Sequence, residues 1–197
     1  MAKSKMNLPN KLTVMRMCLV PVCIAAILIP EAWLAPDVSA IIALVIFATA
    51  SITDAIDGKL ARKYNLITDF GKFMDPLADK FLVLGSFLAI LYRYEHLKTW
   101  LFWAVLVVIF REFAVTSIRL VVSSSSGVVI AANWLGKVKT CVQIGFILAA
   151  IIEPMFEYDF LGGHAVSYVM MVAMTVMTVW SGVEYFKGYW KYINPSV

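Results

Sequence analysis

Four aspartates grouped within one short stretch are the part of this sequence best suited to chemistry. They are Asp54 and Asp57, followed by Asp75 and Asp79. In a helix with about 100° per residue, the members of the first pair lie roughly 60° apart and those of the second pair roughly 40° apart. Each pair therefore shares one helix face. The short connection between the pairs predicts two antiparallel helices whose acidic faces meet.

Clustered carboxylates with no histidine or cysteine nearby offer oxygen ligands to a hard divalent cation. Two such cations would neutralise the four formal charges, and magnesium, manganese or calcium suits this set better than zinc. For any single aspartate, a surface ion pair with a neighbouring lysine or arginine is the plain alternative. Four mutually repelling charges in a strongly apolar sequence favour a metal site, because such charges are costly near a bilayer.

Small residues accompany the first aspartate pair. Gly58 and Ala61 fall on the same helical stripe as Asp54 and Asp57, so a flat or phosphorylated ligand can approach the backbone there. Arg62 adds a forked donor that suits a phosphate group. This combination favours a phosphorylated ligand beside the metals.

The composition predicts that membrane-spanning helices position these residues. Of 197 residues, 61% are hydrophobic and 15% are charged, whereas a soluble domain has about 45–50% apolar and 25% charged residues. Soluble folds, nucleic-acid-binding proteins and secreted disulfide scaffolds are therefore excluded. A cleaved secretory signal is not expected either, because the run Val14–Ile29 lacks a small-residue cleavage site and further apolar runs follow it.

Apolar runs of membrane-spanning length occur six times. They cover Leu12–Ile29, Val38–Ala55, Phe73–Leu91, Trp100–Val122, Trp134–Ile152 and His164–Phe186. Each is close to the length of about 20 residues that a helix needs to cross a bilayer. We therefore expect an all-α integral membrane protein, a six-transmembrane-helix bundle that forms one domain over residues 1–197. A short amino-terminal interfacial segment, Leu8–Arg16, is expected along the inner surface.

Basic residues are distributed unevenly between the predicted loops, which predicts the orientation. With the amino terminus inside, only Arg93 and Lys98 of the 17 lysines and arginines fall on the outer side. The chain is therefore expected to be a multi-pass protein of the cell membrane with both termini and the acidic cluster facing the cytoplasm. Tyr185 is expected in the inner aromatic belt.

The acidic segment resembles the signature of the CDP-alcohol phosphotransferase family. Residues 54–79 fit the string D-x2-D-G-x2-A-R-x8-G-x3-D-x3-D at every fixed position. The resemblance implies a helical membrane enzyme, typically homodimeric, that transfers a phosphatidyl or related group from a CDP-linked donor to an alcohol and releases CMP. It also implies that Asp54, Asp57 and Asp75 bind metal and that Asp79 is the acceptor's base and a further candidate ligand.

A second motif resembles the bacterial branch of that family that makes phosphatidylglycerophosphate. It is Pro9-Asn10-Lys-Leu12-Thr13-Val-Met-Arg16. The resemblance implies CDP-diacylglycerol as donor, glycerol 3-phosphate as acceptor and Mg²⁺ or Mn²⁺ as cofactor. The implied donor-binding residues are Asn10, Thr13, Gly58, Ala61, Arg62 and Gly71. As an alternative, Asn10 or Thr13 could simply cap the first helix, and Arg16 could be only an orientation charge.

Basic residues in the fourth and fifth apolar runs are candidates for the acceptor's phosphate. They are Arg111, Arg119 and Lys137, since a cation within a span normally faces the bundle interior or water. An internal ion pair between Arg111 and Glu112 is the alternative. For Arg119, Lys137 and Lys139, the alternative is an ordinary positive-inside residue that reaches the membrane interface, and this is what we expect of Lys139.

Other functions remain open at this level. Within the family, inositol phosphate, serine or phosphatidylglycerol could be the acceptor. A cation carrier or channel is the alternative from another class, and it would distribute its acids through the depth of the bilayer. His96 and His164 fall on the outer side, where structural roles suit them.

Overall fold

A computed structural model of the chain describes residues 7–63, 68–126, 134–156 and 164–193. Within these ranges every regular element is helical. The α-helices are α1 (Leu8–Leu28), α2 (Pro36–Lys63), α3 (Asp69–Arg93), α4 (Lys98–Ser126), α5 (Trp134–Ile152) and α6 (Ala165–Ile193), and a short 3-10 helix, Glu153–Met155, follows α5. The prediction of an all-α protein is confirmed. The two chain ends, which bear on the predicted orientation, lie outside the described residues.

The helices are mostly longer than the apolar runs that predicted them. The bounds of α5 match the prediction, but α2 continues to Lys63, well beyond the predicted end at Ala55. The first acidic pair and the residues around it therefore belong to a helix, as their spacing predicts. An apolar run marks the part of a helix that suits hydrocarbon, and it does not mark the polar helix ends.

Four helical stretches in the described part of the chain are long and apolar enough to cross a membrane. They are Asn10–Leu28, Pro36–Thr53, Trp134–Met155 and Ala165–Trp190. Large apolar side chains are also exposed on helix surfaces, among them Val45, Phe110 and Val169. Helices that are apolar on their exposed faces suit lipid rather than water. The protein is therefore a membrane protein.

The first three helices form one compact unit, in which α1 packs against both α2 and α3. Its core includes Cys23, Phe47 and Phe87, all buried. A close approach between α1 and α3 occurs at Gly85, where an added Cβ would lie 2.6 Å from Cδ1 of Ile24. The bare glycine thus lets α1 lie close to α3, which brings the amino-terminal motif near the second acidic pair.

The amino-terminal segment is continuous with the first apolar run. Helix α1 runs without a turn from Leu8 to Leu28 and contains Pro21. Thr13 and Arg16 are 1% and 0% exposed, so this part of α1 is packed inside the unit. The predicted interfacial segment Leu8–Arg16 and the first apolar run therefore belong to one helix, with no turn between them. The location of this segment along the inner surface stays a prediction. Because Arg16 is buried in the unit, its role is not limited to setting orientation.

The last three helices form a second unit, in which α6 packs against both α4 and α5. Its core includes Leu101, Phe146 and Met174, which are fully buried. The same interior also holds polar side chains, among them Lys139 and Gln143 on α5. The expectation of one domain over the whole chain stays a prediction.

Candidate active site

The amino-terminal motif and the second acidic pair meet within the first unit. The hydroxyl of Thr13, on the second turn of α1, donates a hydrogen bond of 2.6 Å to Oδ1 of Asp75 on α3. Thr13 is buried and Asp75 is half-buried. Two motifs that are 62 residues apart in the sequence are therefore joined by a direct contact.

A second contact lies one turn earlier on α1. Oδ1 of Asn10 accepts a hydrogen bond of 2.8 Å from the hydroxyl of Thr68. That hydroxyl in turn accepts a hydrogen bond of 3.0 Å from the backbone N–H of Gly71. Thr68 directly precedes the first residue of α3, so it caps the amino terminus of this helix.

These contacts exclude the capping alternative for the amino-terminal motif. The residue that precedes α1 is Asn7, and its side chain makes no capping hydrogen bond. Asn10 and Thr13 lie inside α1, and their side chains bond to residues at and just before the start of α3. The residue that sequence reasoning missed is Thr68. Its signal was a threonine directly before a helix with an acidic first turn.

Gly71 lies at the centre of this arrangement. An added Cβ would meet Oγ1 of Thr68 at 3.3 Å, Oδ1 of Asn10 at 3.4 Å and Oδ2 of Asp75 at 3.7 Å. Three side-chain oxygens therefore surround a backbone position that has no side chain of its own. A larger residue would push at least two of these oxygens away.

The acidic pairs are described to different extents. Asp75 and Asp79 lie one turn apart on α3, and both are half-buried. The structure describes Asp54 and Asp57 only as backbone of α2, and their side chains lie outside the described ones, as do those of Ala61 and Arg62. Gly58 is likewise placed within α2 without further detail. That the two acidic pairs face each other therefore stays a prediction.

No complete metal site can be assembled from the side chains that the structure describes, since none of them form a group of three histidine, cysteine, aspartate or glutamate ligands. The chemistry of Asp75 and Asp79 nevertheless suits a hard cation, because two carboxylates one turn apart on a helix supply only oxygen ligands. These residues fit a divalent metal ion.

The basic residues of the second unit divide into a buried set and an exposed set. Oε1 of Glu112 accepts hydrogen bonds from Nη1 of Arg111, at 3.1 Å, and from Nζ of Lys139. The side chains of Arg111, Glu112 and Lys139 are 10%, 14% and 7% exposed. The internal pair between Arg111 and Glu112 is therefore present. The expectation that Lys139 reaches the interface is wrong, because Glu112 holds its ammonium group inside the unit.

Arg119 and Lys137 are the exposed members. The guanidinium of Arg119 donates from Nε and Nη2 to the hydroxyl oxygen of Tyr185, at 3.1 Å and 2.6 Å. It also lies 5.1 Å from the centroid of that ring. Tyr185 is 3% exposed, so it is an interior partner of Arg119 and not a member of an aromatic belt.

The two histidines contact each other on the connections that precede α4 and α6. The rings of His96 and His164 stack with centroids 3.7 Å apart and planes 13° apart. Burial lowers the pKa of His96, and the nearby His164 lowers it further, while Glu153 raises it. The hydroxyl of Tyr168 donates to the backbone carbonyl of His96 at 2.6 Å. These contacts join the connection before α4 to α6, and the predicted structural role of the histidines is consistent with them.

Comparison with known proteins places these features in a family. The family model for CDP-alcohol phosphatidyltransferase matches residues 6–180 of this chain. A CDP-diacylglycerol–glycerol-3-phosphate 3-phosphatidyltransferase of Bacillus subtilis (strain 168) is 40% identical over 197 residues, which cover 96% of this chain and 98% of the relative.

Two further relatives show similar coverage. A probable phosphatidylglycerophosphate synthase of Mycobacterium tuberculosis (strain CDC 1551 / Oshkosh) is 38% identical over 91% of this chain and 79% of its own length. A CDP-diacylglycerol–glycerol-3-phosphate 3-phosphatidyltransferase of Yersinia enterocolitica is 35% identical over 95% of this chain and 97% of its own length. The match spans the acidic segment and the amino-terminal motif alike. The chain therefore belongs to the CDP-alcohol phosphatidyltransferase family.

Proposed function

We propose that this protein transfers the phosphatidyl group of CDP-diacylglycerol to glycerol 3-phosphate, which gives phosphatidylglycerophosphate and CMP. Relatives named for this reaction align with nearly the whole chain. The observation that carries the proposal is the hydrogen bond from Thr13 to Asp75. It joins the motif that is typical of one branch of the family to the acidic signature that is common to the family.

The metal ligands in this proposal are Asp54, Asp57, Asp75 and Asp79. Two divalent cations, Mg²⁺ or Mn²⁺, would balance the four carboxylates, which offer the oxygen ligands that these ions prefer. When bound, the cations would polarise the diphosphate oxygens of the donor and stabilise negative charge on them. Asp75 contributes an oxygen from a position on α3 that its bond to Thr13 holds in place.

The residues that the family resemblance assigns to donor binding come from three helices. Asn10 and Thr13 lie on α1, Gly58, Ala61 and Arg62 on α2, and Gly71 on α3. The bare Cα of Gly71 keeps space open between Asn10 and Asp75. Arg62 would donate to the phosphate of the departing CMP through its planar guanidinium.

The chemical step that we propose needs one base. The carboxylate of Asp79 accepts the proton of the acceptor's hydroxyl group, and the hydroxyl oxygen attacks the lipid-bearing phosphorus in line. A bond forms between that oxygen and the phosphorus, while the bond from phosphorus to the oxygen of CMP breaks. The electron pair of the broken bond leaves with CMP. The acceptor attacks the donor directly, so no covalent enzyme intermediate is required.

The acceptor's phosphate would be bound by Arg111, Arg119 and Lys137. Arg119 and Lys137 are exposed, which makes them accessible to an anion from water. Arg111 is buried beside Glu112, so it would act from the interior of the second unit. A phosphorylated acceptor would give these cations an anionic partner, which free glycerol cannot supply.

All six helices cross the membrane in this proposal. Helices α3 and α4 have 25 and 29 residues, and at 1.5 Å per residue they reach about 37 Å and 43 Å. Both lengths exceed the hydrocarbon thickness of about 30 Å. Six crossings put both termini and the acidic segment on the cytoplasmic side, where the excess of basic residues lies. We also propose a homodimer, on the strength of the family resemblance.

An assay of purified protein tests the proposed reaction. The protein is incubated with CDP-diacylglycerol, Mn²⁺ and one of several alcohols, and CMP release is measured. Glycerol 3-phosphate is expected to give the fastest release and free glycerol almost none. Equal rates with serine, inositol phosphate or phosphatidylglycerol would assign another acceptor. Cation flux in liposomes without any CMP release would support the carrier or channel instead.

A further inference from the structure

Two hydrogen bonds connect the start of α1 to the start of α3. One joins Asn10 to Thr68, and the other joins Thr13 to Asp75. We call these four residues the α1–α3 latch. Asn10 and Thr13 lie three residues apart on α1, so both point to one face of the helix. The latch therefore fixes α3 at two points, its cap and its first metal-ligand position.

The hydrogen bond within the latch determines how the Asp75 carboxylate is oriented. The hydroxyl of Thr13 donates to Oδ1 at 2.6 Å, the distance expected of a charge-assisted hydrogen bond from a hydroxyl to a carboxylate. The other oxygen, Oδ2, lies on the side of Gly71, 3.7 Å from the position that a Cβ of that residue would take. The hydrogen bond from Thr13 on α1 thus holds Oδ1 of Asp75, and by holding it also fixes the direction in which Oδ2 points.

Burial strengthens this effect. Thr13 is 1% exposed, so water does not compete for the bond, and its β-branched side chain has few rotamers within a helix. The hydroxyl has a single hydrogen, and the bond to Asp75 uses it. The Thr13 hydroxyl is then not available as a donor to a phosphate oxygen. The geometry therefore favours a different role for Thr13 from the diphosphate contact that the family resemblance implies.

We propose that Thr13 is a positioning residue that orients Asp75 for a divalent cation, while Asn10 fixes the cap of α3 through Thr68. This inference rests on the proposed function, because it assigns Asp75 to the metal. Carboxylates that bind metals are commonly held by a hydrogen-bond donor, and removal of such a donor typically costs about 10–100-fold in metal affinity or activity. Loss of the Thr13 hydroxyl is therefore expected to weaken metal binding in that range.

The test compares Thr13→Val with Thr13→Ser in the purified full-length protein. Valine keeps the branched shape and removes the hydroxyl, whereas serine keeps the hydroxyl. Binding of Mn²⁺ alone, without either substrate, is followed by electron paramagnetic resonance of the free ion. We expect Thr13→Val to raise the Kd for Mn²⁺ about 10–100-fold and Thr13→Ser to stay close to the unmodified protein.

A matched control is Thr175→Val on α6. The hydroxyl of Thr175 donates to the carbonyl of Met171 in its own helix at 2.8 Å, so this change also removes one threonine hydroxyl but leaves the latch intact. It is expected to leave the Kd for Mn²⁺ unchanged. Thermal unfolding of every variant is measured alongside. If Thr13→Val does not fold, Thr13→Ser is the deciding variant. The inference requires Thr13→Ser to keep its affinity for Mn²⁺.

Kinetics then separate positioning from direct contact with the donor. A positioning residue raises the Mn²⁺ concentration that half-activates CMP release, with the KM for CDP-diacylglycerol unchanged at saturating Mn²⁺. An unchanged Kd for Mn²⁺ in Thr13→Val, or a raised donor KM alone, would overturn the inference. Failure of the proposed function would look different from failure of this inference. If the proposed function were wrong, the unmodified protein would release no CMP from CDP-diacylglycerol, while the Mn²⁺ titrations would still test Thr13.

Discussion

At the scale of single residues, the partners of a polar side chain decide its role more than its type does. Thr13 and Lys139 are both polar residues for which the sequence predicts a role. In the structure the hydroxyl of Thr13 bonds to Asp75, and the ammonium of Lys139 bonds to Glu112. One contact supports a proposed metal ligand, and the other neutralises a buried charge.

Asp79 is the residue whose loss should affect the chemical step most directly. Asp79→Asn removes the proposed base but keeps the shape and polarity of the side chain. We expect kcat for CMP release to fall about 10²–10⁴-fold, the usual contribution of a general base. Steady-state kinetics at saturating Mn²⁺ and saturating substrates measure this effect.

Asp69→Asn is a matched control for that change. Asp69 is the first residue of α3 and is exposed, and it occupies a variable position of the acidic signature. It should keep most of the activity. If Asp79→Asn retained the kcat of the unmodified protein, Asp79 would have no role as a base, and a water molecule or another carboxylate would have to accept the proton.

Glu112 is predicted to contribute strongly to stability. It accepts hydrogen bonds from both Arg111 and Lys139, whose side chains are almost fully buried. Glu112→Gln removes the negative charge that lies beside these two buried cations. Breaking a buried ion pair in this way typically costs about 3–5 kcal/mol. A clear fall of the thermal unfolding midpoint in detergent is the expected result.

The corresponding control is Glu95→Gln. Glu95 and Lys98 form an exposed ion pair at 2.8 Å, with side chains that are 77% and 54% exposed. Pairs of this kind contribute little to stability, because water screens them. Equal unfolding midpoints for the two variants would show that the Glu112 carboxylate does not stabilise the second unit.

At the scale of elements, the sequence predicts the number and approximate location of the helices. Six apolar runs correspond to six helices, and the bounds of α5 agree with the prediction. The apolar runs alone do not reach the polar helix ends, because hydrophobicity reports contact with lipid and not the backbone hydrogen bonds that define a helix. At the end of α2 it was the spacing of the acidic pair, and not hydrophobicity, that predicted a helix. The extension of α2 to Lys63 is the clearest case.

The candidate site was predicted in part for a similar reason. Spacing alone groups Asp75 with Asp79, since both lie on one face of one helix. The contacts of Thr68 with Asn10 and of Arg119 with Tyr185 join residues 58 and 66 positions apart. Contacts of this range depend on how helices pack, and no periodicity within one segment reports them.

The connection that precedes α4 should make stability depend on pH. Burial lowers the pKa of His96 from its ordinary value of 6.5, the nearby His164 adds to the lowering, and Glu153 opposes it. The unfolded chain therefore binds a proton more readily than the folded one. The stabilising contribution is complete above pH 6.5 and is lost as the pH falls through the lower, folded-state pKa.

Thermal unfolding midpoints between about pH 5 and 8 measure this dependence. His96→Gln removes the titrating ring and should flatten the fall in the midpoint below the ordinary histidine pKa. Gln143→Ala, on α5 and away from both histidines in the sequence, is a control that should keep the pH dependence. Identical slopes for His96→Gln and the unmodified protein would show that another group is responsible.

At the scale of the whole molecule, hydropathy and helix length lead to different numbers of membrane crossings. Four helical stretches satisfy the criterion of an apolar window with few charges. Helices α3 and α4 carry several charged residues, but they have 25 and 29 residues. If only the four stretches cross, the connection between α3 and α4 faces the cytoplasm. If all six cross, that connection faces outward.

Position 95, within this connection, therefore decides between the two arrangements. We expect six crossings, because Tyr92 and Trp100 flank the connection in the manner of an interfacial aromatic pair and both are exposed.

In a cysteine-free background, Glu95→Cys on intact cells should react with a maleimide that does not cross membranes. Ala32→Cys, between α1 and α2, is outside in either arrangement and should react. Ser123→Cys, near the end of α4, is inside in either arrangement and should react only after permeabilisation. Protection of position 95 alongside labelling of position 32 would reduce the crossings to four, and the inner and outer faces of α3 and α4 would have to be reassigned.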